Sequence, residues 1–176
     1  MPASFLTLLF CCVASISCAQ QQQWVEYKSQ GGGYRVEFPQ APKVVSQDVK
    51  TGSGVRRMEV ATFESRRNGV SLTFMTTLPE RPTVVAGGDP QAPFDKVRDD
   101  TVSWVNGKLR EEKQITIGGQ PARRSMIDMP EDNQVCVLLQ VMRGDQLYKA
   151  IAVVSAGQEN GADTERFINS FAPLPR

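Results

Sequence analysis

Histidine is missing from this chain of 176 residues. Its absence removes imidazole as a general base, as a zinc ligand and as a sensor of pH near neutrality, and closes the Ser-His-Asp and Cys-His routes to an activated nucleophile. Cysteine is nearly as scarce. Of four in all, Cys11, Cys12 and Cys18 fall within the first nineteen residues, and Cys136 stands alone after them. A solitary thiol makes no intrachain disulfide and cannot build a four-thiolate zinc site. Set among Val135, Val137, Leu138 and Leu139, it reads as a small buried hydrophobe. Net charge is almost absent too, at +1 from 20 basic and 19 acidic residues. Bulk electrostatics therefore give no hold on nucleic acid. No apolar run reaches the ~20 residues of a spanning helix.

What is present begins with an uncharged apolar leader, Met1 to Ala19, followed by Gln20 to Gln23. Phe5 to Ile16 is a greasy core of about twelve residues, and Ser17-Cys18-Ala19 supplies the small residues that admit a signal peptidase. The expectation is an export signal cut after Ala19, then a glutamine-rich linker over 20–23, then one domain over 24–176. No Lys or Arg precedes the core, so only the amino terminus is positive there. Cys18 offers a second route, lipid attachment, which would tether the domain to a membrane with the glutamines as spacer. Without disulfides, the mature chain of about 157 residues must rely on its core, and it is long enough to do so.

Beyond the linker the pattern is mostly of strands. Trp24 to Tyr27 and Tyr34 to Phe38 are separated by Gly31-Gly32-Gly33, and Lys43 to Val49, Val55 to Glu64 and Val70 to Thr77 follow, with turns at Gly52-Ser53-Gly54 and Arg66-Arg67-Asn68-Gly69. A Pro- and Gly-rich stretch, 78–93, breaks the series. A helix is expected from Phe94 to Val105, with Phe94, Val97, Thr101, Val102 and Val105 on one stripe and Gly107 at its end. Strands resume at Leu109 to Ile117 and Ala122 to Met129. Gln134 to Arg143 and Gln146 to Ser155 then flank Gly144-Asp145, a two-residue hairpin turn with glycine leading. Both parities of this last hairpin are apolar, which places it near the middle of a layered structure. A second helix is expected from Asp163, as its cap, to Ser170, and the tail 172–176 ends the chain.

Tyr34-Arg35-Val36-Glu37-Phe38-Pro39 with Pro42 close behind, Leu147-Tyr148-Lys149-Ala150-Ile151, and Arg166-Phe167-Ile168-Asn169-Ser170-Phe171 together resemble the opening, hairpin and closing helix of PsbP-like domains. The resemblance spans nearly the whole mature chain through short, structural motifs. It implies an α+β fold, an antiparallel β-sheet flanked by two main helices as an α/β/α sandwich. Members include a photosystem II extrinsic protein, a nuclear-transport factor that binds a small GTPase, and many exported bacterial proteins, to which this chain is most similar. No catalytic residue set is shared among them, so the resemblance implies a non-catalytic accessory or binding module.

Several clusters invite chemistry. Arg57, Arg66, Arg67 and Arg123, from three arginine pairs, could grip a phosphate, an anionic lipid or an acidic partner if neighbouring strands aligned them, since guanidinium forks suit paired oxygens. Adjacent strand residues point to opposite faces, so at most one of each pair joins a given patch, and solvated hairpin edges are the simpler reading. Asp99-Asp100, Glu111-Glu112 and Glu131-Asp132 read as solvated acids, because sequence neighbours rarely share one cleft in unlike environments. Arg143-Gly144-Asp145 is explained by its hairpin tip. Two functional classes follow. One is an exported binding or accessory module of the periplasm or envelope, without metal or cofactor, whose partner is an envelope protein or small ligand, with membrane contact only through a lipidated Cys18. The other is an enzyme using Asp89, Asp95 or Asp99 beside the 78–93 loop. A third possibility is a purely structural envelope protein tethered by lipid at Cys18.

Overall fold

The computed structural model describes residues 23–29, 31–51, 54–67, 70–78, 81 and 88–175. The leader, with Ala19 and Cys18, and the linker over 20–22 lie outside them. Among the described residues, ten strands and two helices form an α+β fold with two antiparallel sheets. The small sheet has the order β1-β2-β10, from β1 (Val25–Ser29), β2 (Tyr34–Phe38) and β10 (Ala172–Pro173). The large one runs β3-β4-β5-β9-β8-β7-β6. Its strands are β3 (Lys43–Thr51), β4 (Gly54–Arg67), β5 (Val70–Thr77), β6 (Lys108–Ile117), β7 (Gln120–Met129), β8 (Gln134–Arg143) and β9 (Gln146–Ser155).

The hairpin of β8 and β9 occupies the middle of the large sheet, as its two apolar parities require. It pairs from Gln134↔Ser155 to Arg143↔Gln146. At its tip Gly144 has φ 59°, the left-handed position that glycine adopts without a steric cost. Val137, Leu139, Val141, Tyr148, Ala150, Ala152 and Val154 face one core, which α2 (Ala162–Ser170) and β2 complete through Phe167, Ile168, Tyr34, Val36 and Phe38. Phe74 of β5 stacks on Phe167 at 4.5 Å between ring centroids, nearly parallel. Full burial of such rings is worth roughly 1.5–3 kcal/mol each, so this stacked pair fastens α2 to the large sheet. Tyr34, fully buried, satisfies its hydroxyl by a 2.8 Å hydrogen bond shared with Thr76.

The opposite parity, Cys136, Leu138 and Ile151 with Ile127, meets Val102 and Val105 at the end of α1 (Ala92–Trp104). Phe94 and Val97 of the same helix close over Leu147. The predicted stripe is the observed one, although the helix starts two residues earlier because Pro93 suits the first turn, where no intrahelical N–H is needed.

Three local expectations change. The C-terminus of α1 turns through Asn106, whose φ is 48°, and not through a left-handed glycine. Gly107 is required for space, since a Cβ there would lie 2.5 Å from Ile127 Cγ2 and 2.7 Å from the Asp128 carbonyl oxygen. Asp163 does not cap α2: Gly161 does, without a side-chain bond, and Glu165 N donates to its carbonyl at 2.9 Å. The tail is not idle. Ala172 and Pro173 add a third strand beside β2, and Leu174 N donates to the Gly33 carbonyl at 2.7 Å.

Candidate functional site

The adjacent arginines of β7 show how the polar side chains are spent. Strand alternation sends Arg123 to the α1 face and Arg124 to the α2 face. Arg123, 5% exposed, donates through one terminal nitrogen to Asp95 of α1 at 2.6 Å and to Glu112 of β6 at 2.9 Å. Its other terminal nitrogen donates to Gln91 Oε1 at 2.9 Å, and the guanidinium lies 5.2 Å from the Phe94 ring centroid. Arg98 joins the cluster, donating to Asp95, Asp99 and Glu112. Glu112 is therefore no solvated acid. The register shift between Leu109 and Glu111 turns it inward, where it also accepts from Ser125 Oγ at 2.9 Å. Chiefly because of the Arg123 hydrogen bond, the Asp95 carboxyl is held below the usual range. A carboxylate held ionised in this way is a poor general acid near neutrality.

On the other face Arg124 forks onto both oxygens of Glu165, at 2.6 and 3.1 Å, and lowers that carboxyl in turn. A small pocket of about 110 Å³ beside it is lined by Glu111, Lys113, Arg124, Met126 and Asn160. Lys113 is paired there with Glu111 at 2.6 Å. Asp89 serves the entry to α1, accepting from Gln91 N at 2.8 Å. Cys136 is fully buried, and burial pushes its thiol up to about 12. Among the described residues no cluster of three His, Cys, Asp or Glu could hold a metal ion.

The arginines proposed for an anion do not assemble. Arg57 and Arg66 are exposed on β4, where opposite parity and nine residues of strand put them on different faces about 30 Å apart. Arg67 ends the same strand. Arg123 lies four strand steps away, about 19 Å across the sheet, and is occupied by acids.

A different surface stands out, the outer edge formed by β3 and β4. β3 pairs with β4 over nine residues, from Lys43↔Thr62 to Thr51↔Gly54, without a register shift. Among the described residues β5 covers β4 only from Val60 to Arg67. The rest of β3 and β4 projects as a two-stranded ribbon of about 20 Å. Val44 (44% exposed) and Val45 (47%) lie on opposite faces of the edge, and Val55 near the tip is 65% exposed. Alongside lies an open groove of about 470 Å³ lined by Gln40, Ala41, Lys43, Val45, Thr62 and Phe63, with Glu64 at its end.

Glu59 pins the ribbon at its base. Its Oε1 accepts from Tyr27 Oη at 2.9 Å and from Ser29 Oγ at 3.0 Å, and Ser29 Oγ in turn accepts from Gly32 N at 2.9 Å. Burial, and then the Glu59 hydrogen bond, raise the Tyr27 phenol well above its usual value. This clamp escaped the sequence reading because its members sit in strands 30 and more residues apart. The sequence shows valines at 44, 45 and 55, but only the structure shows them exposed and only the strand order makes β3 an edge.

The other edge, β6, differs in both respects that matter. Its register shifts near Arg110, and five of its ten residues are charged. Bulges and charges are the usual means of blunting an edge against further pairing, and β3 has no bulge and fewer charges.

With this geometry in view, the fold finds a counterpart among solved structures. The solution structure of cyanobacterial PsbP (CyanoP) from Synechocystis sp. PCC 6803 superposes with a TM-score of 0.50 over 92% of this chain and 99% of that one, at 13% sequence identity. The chain is thus PsbP-like at the level of fold. No family profile and no curated protein matches the sequence.

Proposed function

We propose that this protein is an exported, non-catalytic binding or accessory module of the periplasm or cell envelope, an α/β/α layered domain that docks a partner on the β3 edge and its groove. One observation carries the reading. β3 presents nine regularly paired residues with valines exposed on both faces, while the opposite edge is bulged and charged. Unpaired backbone N–H and C=O groups along such an edge favour an added strand, and flanking apolar side chains supply selectivity. Helix-borne acids that might serve an enzyme, Asp95 and Asp99, are instead engaged by arginines. Export rests on the leader, and no helix among the described residues is long and apolar enough to cross a membrane.

Photo-crosslinking in the native cell tests the docking surface. A crosslinker in place of Val45 is expected to trap a partner, and one in place of Gln114 on β6 is not. Trapping at Gln114 with none at Val45 would refute the assignment. Mass spectrometry of the amino terminus tests export: a start at Gln20 or a lipidated Cys18 supports it, and a retained Met1 overturns it.

A further inference from the structure

Resting on that docking reading, we infer that the occupant of the β3 edge is the same edge of a second copy of this chain, paired antiparallel about a two-fold axis at Gln47. The outward backbone decides the register. Thr51 stands opposite Gly54 on β4, and a connection that short makes its flanking residues a hydrogen-bonded pair. From there the bonding alternates along the ladder. The odd residues of β3 therefore spend their N–H and C=O groups on β4, and Val44, Ser46, Asp48 and Lys50 turn theirs outward. Among the described residues no strand pairs with that side. A two-fold axis normal to the sheet sets even residues against even ones. With Gln47 on the axis, Val44 exchanges bonds with Lys50 and Ser46 with Asp48, each twice over, for about eight main-chain hydrogen bonds in all. Moving the axis to Ser46 loses bonds, because Pro42 then faces Lys50 and has no N–H. Moving it to Asp48 carries Val44 past the end of the partner strand.

The order of residues in β3 suits this register. Val45 stands opposite Val49, Ser46 opposite Asp48 and Lys43 opposite Thr51, so no charged residue of the strand faces another. Like charges directly opposite would oppose pairing, and a serine hydroxyl donating to a carboxylate favours it. The two Asp48 are diagonal neighbours, about 7–8 Å apart, and each has an exposed Arg57 opposite it on β4. Lys43 to Asp48 are all exposed, and Val44 and Val45, at 44% and 47%, are the apolar residues that such pairing covers. Two rival occupants fit less well. A lipid surface leaves the outward donors and acceptors without partners. A strand of unrelated sequence finds the same backbone, but a second copy brings this matched order in every encounter, and closed two-fold pairing is the commonest association between identical chains.

Sedimentation and cysteine crosslinking of the protein purified from native cells test this. The chain is expected to sediment as a monomer–dimer equilibrium that shifts with concentration. At the axis the two Gln47 form a pair without main-chain bonds, with Cα atoms about 4.5 Å apart and within disulfide reach. The two Val45 lie four residues apart along the strands, about 14 Å, and beyond it. Mild oxidation should therefore close Gln47→Cys into a covalent dimer and leave Val45→Cys open, with Cys136 too buried to compete. Ser46→Pro removes an outward N–H and spares the ladder to β4, so it should weaken the dimer roughly 10-fold or more while circular dichroism shows the fold retained. A disulfide at Val45→Cys with none at Gln47→Cys overturns the register and the inference with it. So does a dimer that Ser46→Pro leaves intact and that Gln114→Cys on β6 closes instead. A chain monomeric at every concentration, with Gln47→Cys still a thiol, overturns the second copy. In that case docking at β3 stands if a Val45 crosslinker traps another protein in the cell, and falls as well if it traps nothing.

Discussion

Replacing Arg123 by methionine tests whether α1 is held by a buried guanidinium or by its apolar stripe alone. Methionine keeps much of the stem's packing volume, so the change reads mainly the polar head. Four contacts go, and they differ in worth. Asp95 is 42% exposed, so its share of the pair is screened and amounts to no more than about 0.5 kcal/mol. Glu112 is only 19% exposed but keeps Ser125 and Arg98, which limits the cost of its lost partner to about 1 kcal/mol. The Gln91 hydrogen bond and the Phe94 contact contribute about 0.5–1 kcal/mol each. Against these stands a gain of about 1 kcal/mol, because Arg123 Nε is buried without a hydrogen-bond partner and leaves with the side chain. The net is a destabilisation of about 2 kcal/mol, or some 4–8 °C in melting temperature for a domain of this size.

Urea unfolding at pH 7 measures the loss, and a cycle with Glu112→Gln isolates the coupling, expected at about 1 kcal/mol. The pH dependence gives an independent check. Asp95 has a folded pKa below its ordinary value of 3.8, lowered first by the Arg123 hydrogen bond. Its contribution is therefore complete above that ordinary value and fades as pH falls through the lower, folded one. The gap between wild type and Arg123→Met should narrow in that window. A loss below about 0.5 kcal/mol with no coupling to Glu112 would refute the anchoring role.

Arg124→Met should cost about 1 kcal/mol through the loss of its fork onto Glu165. The cost should be seen in urea unfolding above pH 4.5, the ordinary value from which Glu165 is lowered, and should fade as pH falls through the folded value. Gly107→Ala should destabilise by about 1–3 kcal/mol, because the new Cβ meets a backbone carbonyl that cannot yield cheaply, and thermal unfolding reads the loss. Cys136, buried and with its thiol pushed up to about 12, should react with a thiol reagent only at the rate of unfolding, so labelling kinetics in rising urea should follow the global transition. Glu59→Ala removes the hydrogen bond and the nearby negative charge that, after burial, raise the Tyr27 phenol, so its titration, followed by ultraviolet absorbance, should move part of the way back toward 10.

Period and turn chemistry made much of this fold legible. The β8–β9 hairpin was readable to the residue because both of its parities are apolar and Gly144 marks the turn. The stripe of α1 was readable for the same kind of reason, a spacing of three and four that only a helix turns to one side. What failed was local and depended on contacts distant in sequence. Gly107 looked like a helix stop, yet its lack of a side chain answers to Ile127 and Asp128, twenty residues on. Glu112 looked solvated because nothing in the sequence announces the register shift beside it. Two strands of the small sheet, β1 and β2, were readable, but not that they leave the large sheet to pair with β10: a two-residue strand has no periodicity to detect, and only docking beside β2 defines it.

The two edges of the large sheet pose one physical problem and meet it differently. Each must avoid indiscriminate pairing, and β6 does so by construction, with a register shift that drives Glu112 into the Arg123 cluster and Arg110 onto Asp128 and Glu159. Its charges thus serve the core and the edge at once. On β3 the same economy is absent. Its register is regular, its valines are exposed on both faces, and the Glu59 clamp fixes the base of the ribbon against β1, while among the described residues no strand pairs with its outer backbone. Holding an extended ribbon rigid lowers the entropy lost when a strand is added to it, whereas a device meant only to discourage pairing would do better to bend or shorten that strand.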